Sequence, residues 1–171
     1  MIAPAVRQRL VSALILSRVD YCDSSLAGLP AKTLVPLQRV LNAATRYVAD
    51  LRFRDHVTAA QRSLHWLPIA QRINYKLCVM MHGAVHGNAP EYIKSMVTLT
   101  SALSGRSHLR SADRLLCDIP RTRTRMGDRA FSVAGPRAWN KLPLDVRELS
   151  TLSTFKKHLK TFLFNTAYTD H

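Results

Sequence analysis

The stretch AKTLVPLQRVLNAATRYVA, residues 31–49, decides the fold class. Leu34, Leu37, Leu41, Ala44 and Val48 recur at alternating spacings of three and four, which lines one face of an α-helix. Lys32, Arg39 and Arg46 recur every seven residues. Arg39 and Arg46 fall nearly opposite the apolar stripe, as a solvated face or one that tracks phosphates.

The same period extends in both directions. Residues 4–19 predict a helix opened by Pro4, since proline is permitted in a first turn. A short helix is expected over 57–64, stopped by Trp66, Leu67 and Pro68. A long one is expected over 69–86, with Ile73, Leu77, Met80 and Ala84 buried and Gly83 and Gly87 weakening its end. Pro90 opens another short helix in 89–97. A turn of helix follows Pro143 at 143–147. The last helix is expected over 151–166, with Leu152, Phe155, Leu159 and Phe162 inward and Ser150 or Ser153 as its N-cap.

Between these lies a different pattern. Residues 98–112 are rich in Ser, Thr and small side chains and are expected to be a linker. Arg121, Arg123 and Arg125 then alternate with threonines, the period of a strand. Residues 129–134 predict a second strand, Met126, Gly127 and Asp128 the turn between, and Gly135-Pro136 the hairpin's end. The expected architecture is mainly α: a bundle of four to six helices with a small β-hairpin near 114–134. Residues 1–97 would be a helical subdomain, and 113–171 a hairpin plus C-terminal helix packed on it as one unit.

Charge sets the class of partner. With 25 Lys and Arg against 11 Asp and Glu, the chain carries a formal +14. Half of this excess lies before residue 106 and half after it. Such a surfeit repels itself unless a polyanion offsets it; nucleic acid is the usual one and an anionic membrane surface the other. Arginine predominates, and its planar fork suits phosphate. Hydrophobic residues make up 47%, enough for a core rather than a disordered tail.

Several chemistries find no footing in this pattern. Cys22, Cys78 and Cys117 are odd in number and far apart, which argues for a reducing compartment, nuclear or cytoplasmic, and against a disulfide framework or zinc site. No apolar run reaches the roughly 18 residues of a membrane span. Residues 10–16 follow Arg7 and Arg9 as in a signal peptide, but Arg18 and Asp20 close the run without a cleavage site, so a core helix is expected. No phosphate-binding glycine loop, dinucleotide turn or nucleophile elbow occurs. His82 and His86 share a helix face without a third ligand, and are expected as a satisfied pair at a helix end. Trp66 and Trp139 sit beside Leu and Pro and read as core anchors rather than base-stacking platforms. No catalytic residue, metal or cofactor is expected.

Eight strings, in order, resemble one family. They are SRVDYC (17–22), GLP (28–30), LQRVLNAATR (37–46), LHWLP (64–68), QRINYKLC (71–78), HGNAPEYI (86–93), IPRTRTRMGDRAFSVAGPRAWNKLP (119–143) and STFKKHLKTFLF (153–164). Together they resemble the C-terminal region of non-LTR (LINE-type, jockey-like) retrotransposon reverse transcriptases, over roughly residues 5–167. The resemblance implies a segment downstream of a polymerase. The polymerase's paired aspartates are absent here, since Asp20 and Asp23 flank Tyr21 and Cys22 instead. The endonuclease's acid and histidine set and the zinc knuckle of some relatives are absent too.

The expectation is a non-catalytic module that binds template RNA or target DNA through phosphates, beside an upstream polymerase domain. Arg106, Arg110, Arg121, Arg123, Arg125 and Arg129 are the prime contacts, supported by Lys156, Lys157 and Lys160. The alternative is a structural module packed on the polymerase or another protein, as a truncated or domesticated fragment. An independent enzyme would need a cleft gathering histidines and carboxylates from distant positions.

Overall fold

The computed structural model describes residues 3–103 and 115–169, and these are mainly helical. Helix α1 (Pro4–Val11) passes through a π-turn (Ser12–Leu16) into α2 (Ser17–Val19), so one rod covers the span expected for the first helix. Helix α3 (Ala31–Ala49) follows, then α4 (Thr58–Ser63), α5 (Ile69–Val85) and α6 (Glu91–Lys94). After the segment around Cys117 come α7 (Phe131–Trp139), α8 (Leu144–Arg147) and α9 (Leu152–Tyr168).

Helix α3 keeps the boundaries that its periodicity predicts. Leu41, Ala44 and Val48 are buried, while Leu34 and Leu37 pack partly buried at the edge. Asp50, in the left-handed region at φ 56°, ends the helix, and the Leu51 amide closes back on the Arg46 carbonyl. A polar relay pins two neighbours to α3. Gln61 of α4 donates to Asn42 at 2.9 Å and to Thr45 at 3.3 Å. Gln38 donates to Asn42 at 2.9 Å and accepts from the Ile69 amide at 3.0 Å, which supplies a partner to the otherwise orphaned start of α5.

Helix α5 is buried on two sides. Ile69, Ile73 and Leu77 enter a core with Val11, Leu16, Leu41, Val48 and Trp66. Cys78 and Met81 enter a second core with Trp139, Val146, Phe155, Leu159 and Leu163. The expected stripe shifts accordingly: Met81 and His82 are buried where Met80 and Ala84 were expected. In α9 the inward row is Phe155, Leu159 and Leu163, whereas Leu152 is 41% exposed and Phe162 only partly buried. Its N-cap is Thr151, without a side-chain hydrogen bond, rather than Ser150 or Ser153.

The expected hairpin near 114–134 does not form. Among the described residues there is no strand, only an isolated antiparallel bridge between Leu99 and Cys117. Residues 131–134 open α7 because Val133 is buried and Ala134 enters the first core. Gly135 and Pro136, expected to end a hairpin, lie inside that helix and are buried. Asn140 and Trp139 hold the bridge segment. Asn140 pairs with both the amide and carbonyl of Cys117, at 2.9 and 2.8 Å, and the Trp139 indole donates to the Leu115 carbonyl at 2.8 Å. Trp66 and Trp139 are both core residues. Within the expected linker 98–112, residues 104–112 lie outside the described residues, and Thr100–Ala102 forms a 3-10 turn.

Gly135 sets how closely α7 approaches α5. A Cβ there would stand 2.7 Å from the sulfur of Met81 and 3.1 Å from Phe131 Cε2. Met81 is fully buried, so it has little room to yield. We expect Gly135→Ala to lower stability by about 1–3 kcal/mol despite alanine's higher helix propensity. Chemical denaturation checks this, and a gain in stability would contradict the close packing.

Candidate nucleic-acid interface

The segment 119–129 is neither strand nor featureless loop. Thr122 donates to Asp128 at 2.6 Å, and the Gly127 amide donates to Thr124 Oγ1 at 3.0 Å. A 3-10 turn over Gly127–Arg129 closes the loop. Gly127 sits so close to Thr122 that an added Cβ would lie 3.1 Å from its methyl group. The threonines therefore tie the loop to itself, and the intervening Arg121, Arg123 and Arg125 are left exposed. No carboxylate of the described residues pairs with these three arginines. The Asp128 carboxylate is held below its usual range, first by the Thr122 hydroxyl and then by the Arg137 guanidinium at 3.3 Å.

Arg129 has a different role. Its guanidinium donates to the Ser25 carbonyl at 3.3 Å, and its Cγ would lie 3.0 Å from a Cβ at Gly28. Gly28 itself has φ +70°, a backbone that glycine alone adopts at low cost. Arg129 is thus a strut between the arginine loop and the chain preceding α3. Arg106 and Arg110 lie outside the described residues.

Lys156, Lys157 and Lys160 are exposed on α9 but do not join the arginines in one groove. Arg121 lines a cleft with Asp118 and Asn140, Lys157 one with Asp145 and His158, and Lys160 a third with Asp20 and Asp23. On α3, Lys32 and Arg39 are exposed, while Arg46 folds over the Phe53 ring at 5.9 Å and Arg7 over Tyr47 at the same distance. These arginine–aromatic pairs were not legible in the sequence, because Phe53 and Tyr47 meet their cations only through the turn after α3 and the packing of α1.

His82 is fully buried. Its Nε2 lies 2.7 Å from the Leu149 carbonyl and its ring stacks on Phe155 at 4.3 Å. Burial lowers its pKa, so the ring is neutral and Nε2 donates the bond. His86 lies 3.4 Å from the Arg147 carbonyl. The two histidines thus lock α5 to the segment leading into α9. Among the described residues, no three His, Cys, Asp or Glu groups are placed to hold a metal ion. All three cysteines are free thiols, with Cys78 and Cys117 buried and pushed up to about 12 by burial. Among the described residues, no helix is long and apolar enough to cross a membrane.

The third cleft contains a group that sequence reasoning did not single out. Asp23 opens a 3-10 turn (Asp23–Leu26) after Cys22, which is left-handed at φ 53°. Its carboxyl is 5% exposed, and Oδ1 has no hydrogen-bond partner. Burial pushes its pKa up to about 6, the nearby Asp20 carboxylate adds to the rise, and Lys76, the Ser24 amide and Arg72 oppose it. Asp20 is neutralised by Arg72, whose Nη1 lies 2.8 Å from both carboxylate oxygens.

Neither a protein-family model nor a curated protein nor a solved structure matches this chain.

A carboxyl whose folded pKa lies above its unfolded value of 3.8 binds extra protons in the native state. Its contribution to stability is therefore complete below pH 3.8 and lost as pH rises through about 6. At neutral pH the ionised Asp23 costs up to about 3 kcal/mol. We expect Asp23→Asn to raise the denaturation midpoint at about pH 7.5, with the gain shrinking to nothing by about pH 4. A gain independent of pH would show that charge is not the cause.

Proposed function

We propose that this chain is a non-catalytic, basic module that binds RNA or DNA through the phosphate backbone. The observation that carries this reading is the 121–125 loop. Its threonines and Asp128 are consumed in folding it, and three arginines are left projecting from a chain of net charge +14. Exposed arginines at alternate positions match the repeated anionic charge of a strand better than any compact ligand. Lys156, Lys157 and Lys160 add to the field on another face, which favours wrapping or tracking over a single groove. The likeness to the C-terminal region of non-LTR reverse transcriptases supports the same role, downstream of a polymerase whose active-site motifs this chain lacks.

One observation favours a second use of the fold. Val6, Leu10 and Leu14 recur every four residues along the first rod and are 46%, 42% and 67% exposed. An apolar row of this kind suits packing against another protein surface. The two readings concern different faces and are compatible.

The test is affinity for RNA and duplex DNA across a salt series, with the wild type and the Arg121/Arg123/Arg125→Ala variant. Each phosphate contact contributes about 0.7–0.9 to the slope of log affinity against log salt. We expect the variant to bind more weakly and its slope to be shallower by about 2–3. Unchanged affinity and slope would remove these arginines from the interface.

A further inference from the structure

The cleft around Asp23 has a volume of about 300 Å³, within the ~300–1,000 Å³ range typical of small-molecule pockets. Tyr75 lines it beside the core residue Trp66 and His65, whose ring is stacked on Phe164 at 5.6 Å, and Lys76 and Lys160 supply cations. We propose that this cleft takes one unstacked nucleotide of a bound strand, with a base N–H donating to Asp23 and the phosphate held by Lys76 and Lys160. This deepens the nucleic-acid reading above and rests on it.

Three observations converge. Buried polar groups nearly always have partners, yet Asp23 Oδ1 has none, so it lacks a donor. The group that fills it is not a bare cation, because Lys76 and Lys160 line the same cleft and would repel one. It is not a bare anion, because Asp23 would repel that. A nucleotide brings both parts at once: a donor on the base edge and a negative charge one sugar away. The partly buried Tyr75 adds the third element of base recognition, since every base offers a π-face for stacking.

Arg72 is organised rather than available. It is clamped between Asp20 and the Leu67 carbonyl at 2.9 Å, and it fixes the cleft's inner wall. The Tyr168 hydroxyl donates to the Trp66 carbonyl at 2.6 Å and holds the Trp66 backbone. The walls are therefore held before any ligand arrives, and Asp23 Oδ1, itself covered, must turn toward the cleft to accept a base N–H. The chain also keeps an ionisable group that burial penalises, where an asparagine of the same shape would fit; such a cost is commonly retained at sites that bind.

The test uses the full chain, labelled with ¹⁵N and titrated with cytidine monophosphate and, separately, ribose 5-phosphate. We expect the cytidine nucleotide to shift the signals of residues 20–24 and 65–67 and the Trp66 indole, and ribose 5-phosphate to bind about tenfold more weakly. Asp23→Asn, expected to fold at least as well, lowers cytidine nucleotide affinity about tenfold and leaves ribose 5-phosphate unchanged. Lys160→Ala weakens both ligands alike. Equal affinity of the two ligands, an unaltered Asp23→Asn variant, or shifts confined to other residues would overturn the assignment. RNA binding with a steep salt slope alongside a silent cleft would sink this inference and leave the phosphate-gripping reading standing. A cytidine nucleotide seated in the cleft of a chain that does not bind RNA would do the reverse.

Discussion

The contact between α5 and α7 at Gly135 and Met81 is the constraint on which the rest of the structure depends. Helices α5 and α7 both enter the two cores, and α7 and α9 pack against α5. With no side chain at Gly135, the backbone of α7 closes onto the Met81 sulfur. Trp139, at the end of α7, is thereby buried against Phe155 of α9 at a ring separation of 5.7 Å. Its indole and the adjacent Asn140 then fix the Cys117 segment. A chain of contacts thus runs from one small residue to the bridge at Leu99. Spreading α5 from α7 would loosen all of it, because a close-packed interior transmits such a displacement rather than absorbing it.

The helices were legible because each needs only its own stripe. The boundaries of α3 followed from its apolar spacing, and α5 and α9 were found within about two residues of their ends. What periodicity could not supply was which residues a second core would claim. It gave Met80 where Met81 is buried, because a helix packed on two sides no longer has one inward face. The hairpin failed for a related reason. Alternation in RTRTR is the period of a strand, but here residues 123–126 bend and turn, and of the two threonines only Thr122 is partly buried. A strand also needs a neighbouring strand, and the segment meant to provide one is drawn into α7 by the burial of Val133 and Ala134 and the packing of Phe131 against both cores. Gly135-Pro136 looked like punctuation, yet tertiary packing overrides that local preference inside the helix. The loop instead satisfies its polar groups with its own threonines and Asp128.

The same limit applies to the site. The exposed arginines were visible because no apolar core accepts three alternating guanidinium groups. Asp23 was not visible, since its burial depends on the left-handed turn at Cys22 and on α5 packing beneath it. The acidic residues themselves are largely spoken for. Asp20 pairs with Arg72, Asp50 with Arg7, Glu91 with Lys94 and Asp128 with Arg137. Such partly exposed pairs contribute little, roughly 0–1 kcal/mol each. Their larger effect is on distribution: each consumes a negative charge locally, so the positive excess remains on groups such as Arg121, Arg123 and Arg125.

Arg129 connects the two sites. It lies at the end of the arginine loop, yet its guanidinium reaches the Ser25 carbonyl within the turn that presents Asp23. That turn also rests on α5, which carries Lys76 and the Arg72 clamp on Asp20. The turn is therefore held from one side by α5 and from the other by Arg129. In the proposed reading, a strand drawn toward the loop by its phosphates would meet a framework that also carries the unsatisfied carboxyl of Asp23. Charge attracts without regard to sequence. A single buried acceptor does the opposite, since it rewards only a group with a donor in the right place. In that reading the two features, joined by one arginine, would divide the work of binding between long-range attraction and short-range selection.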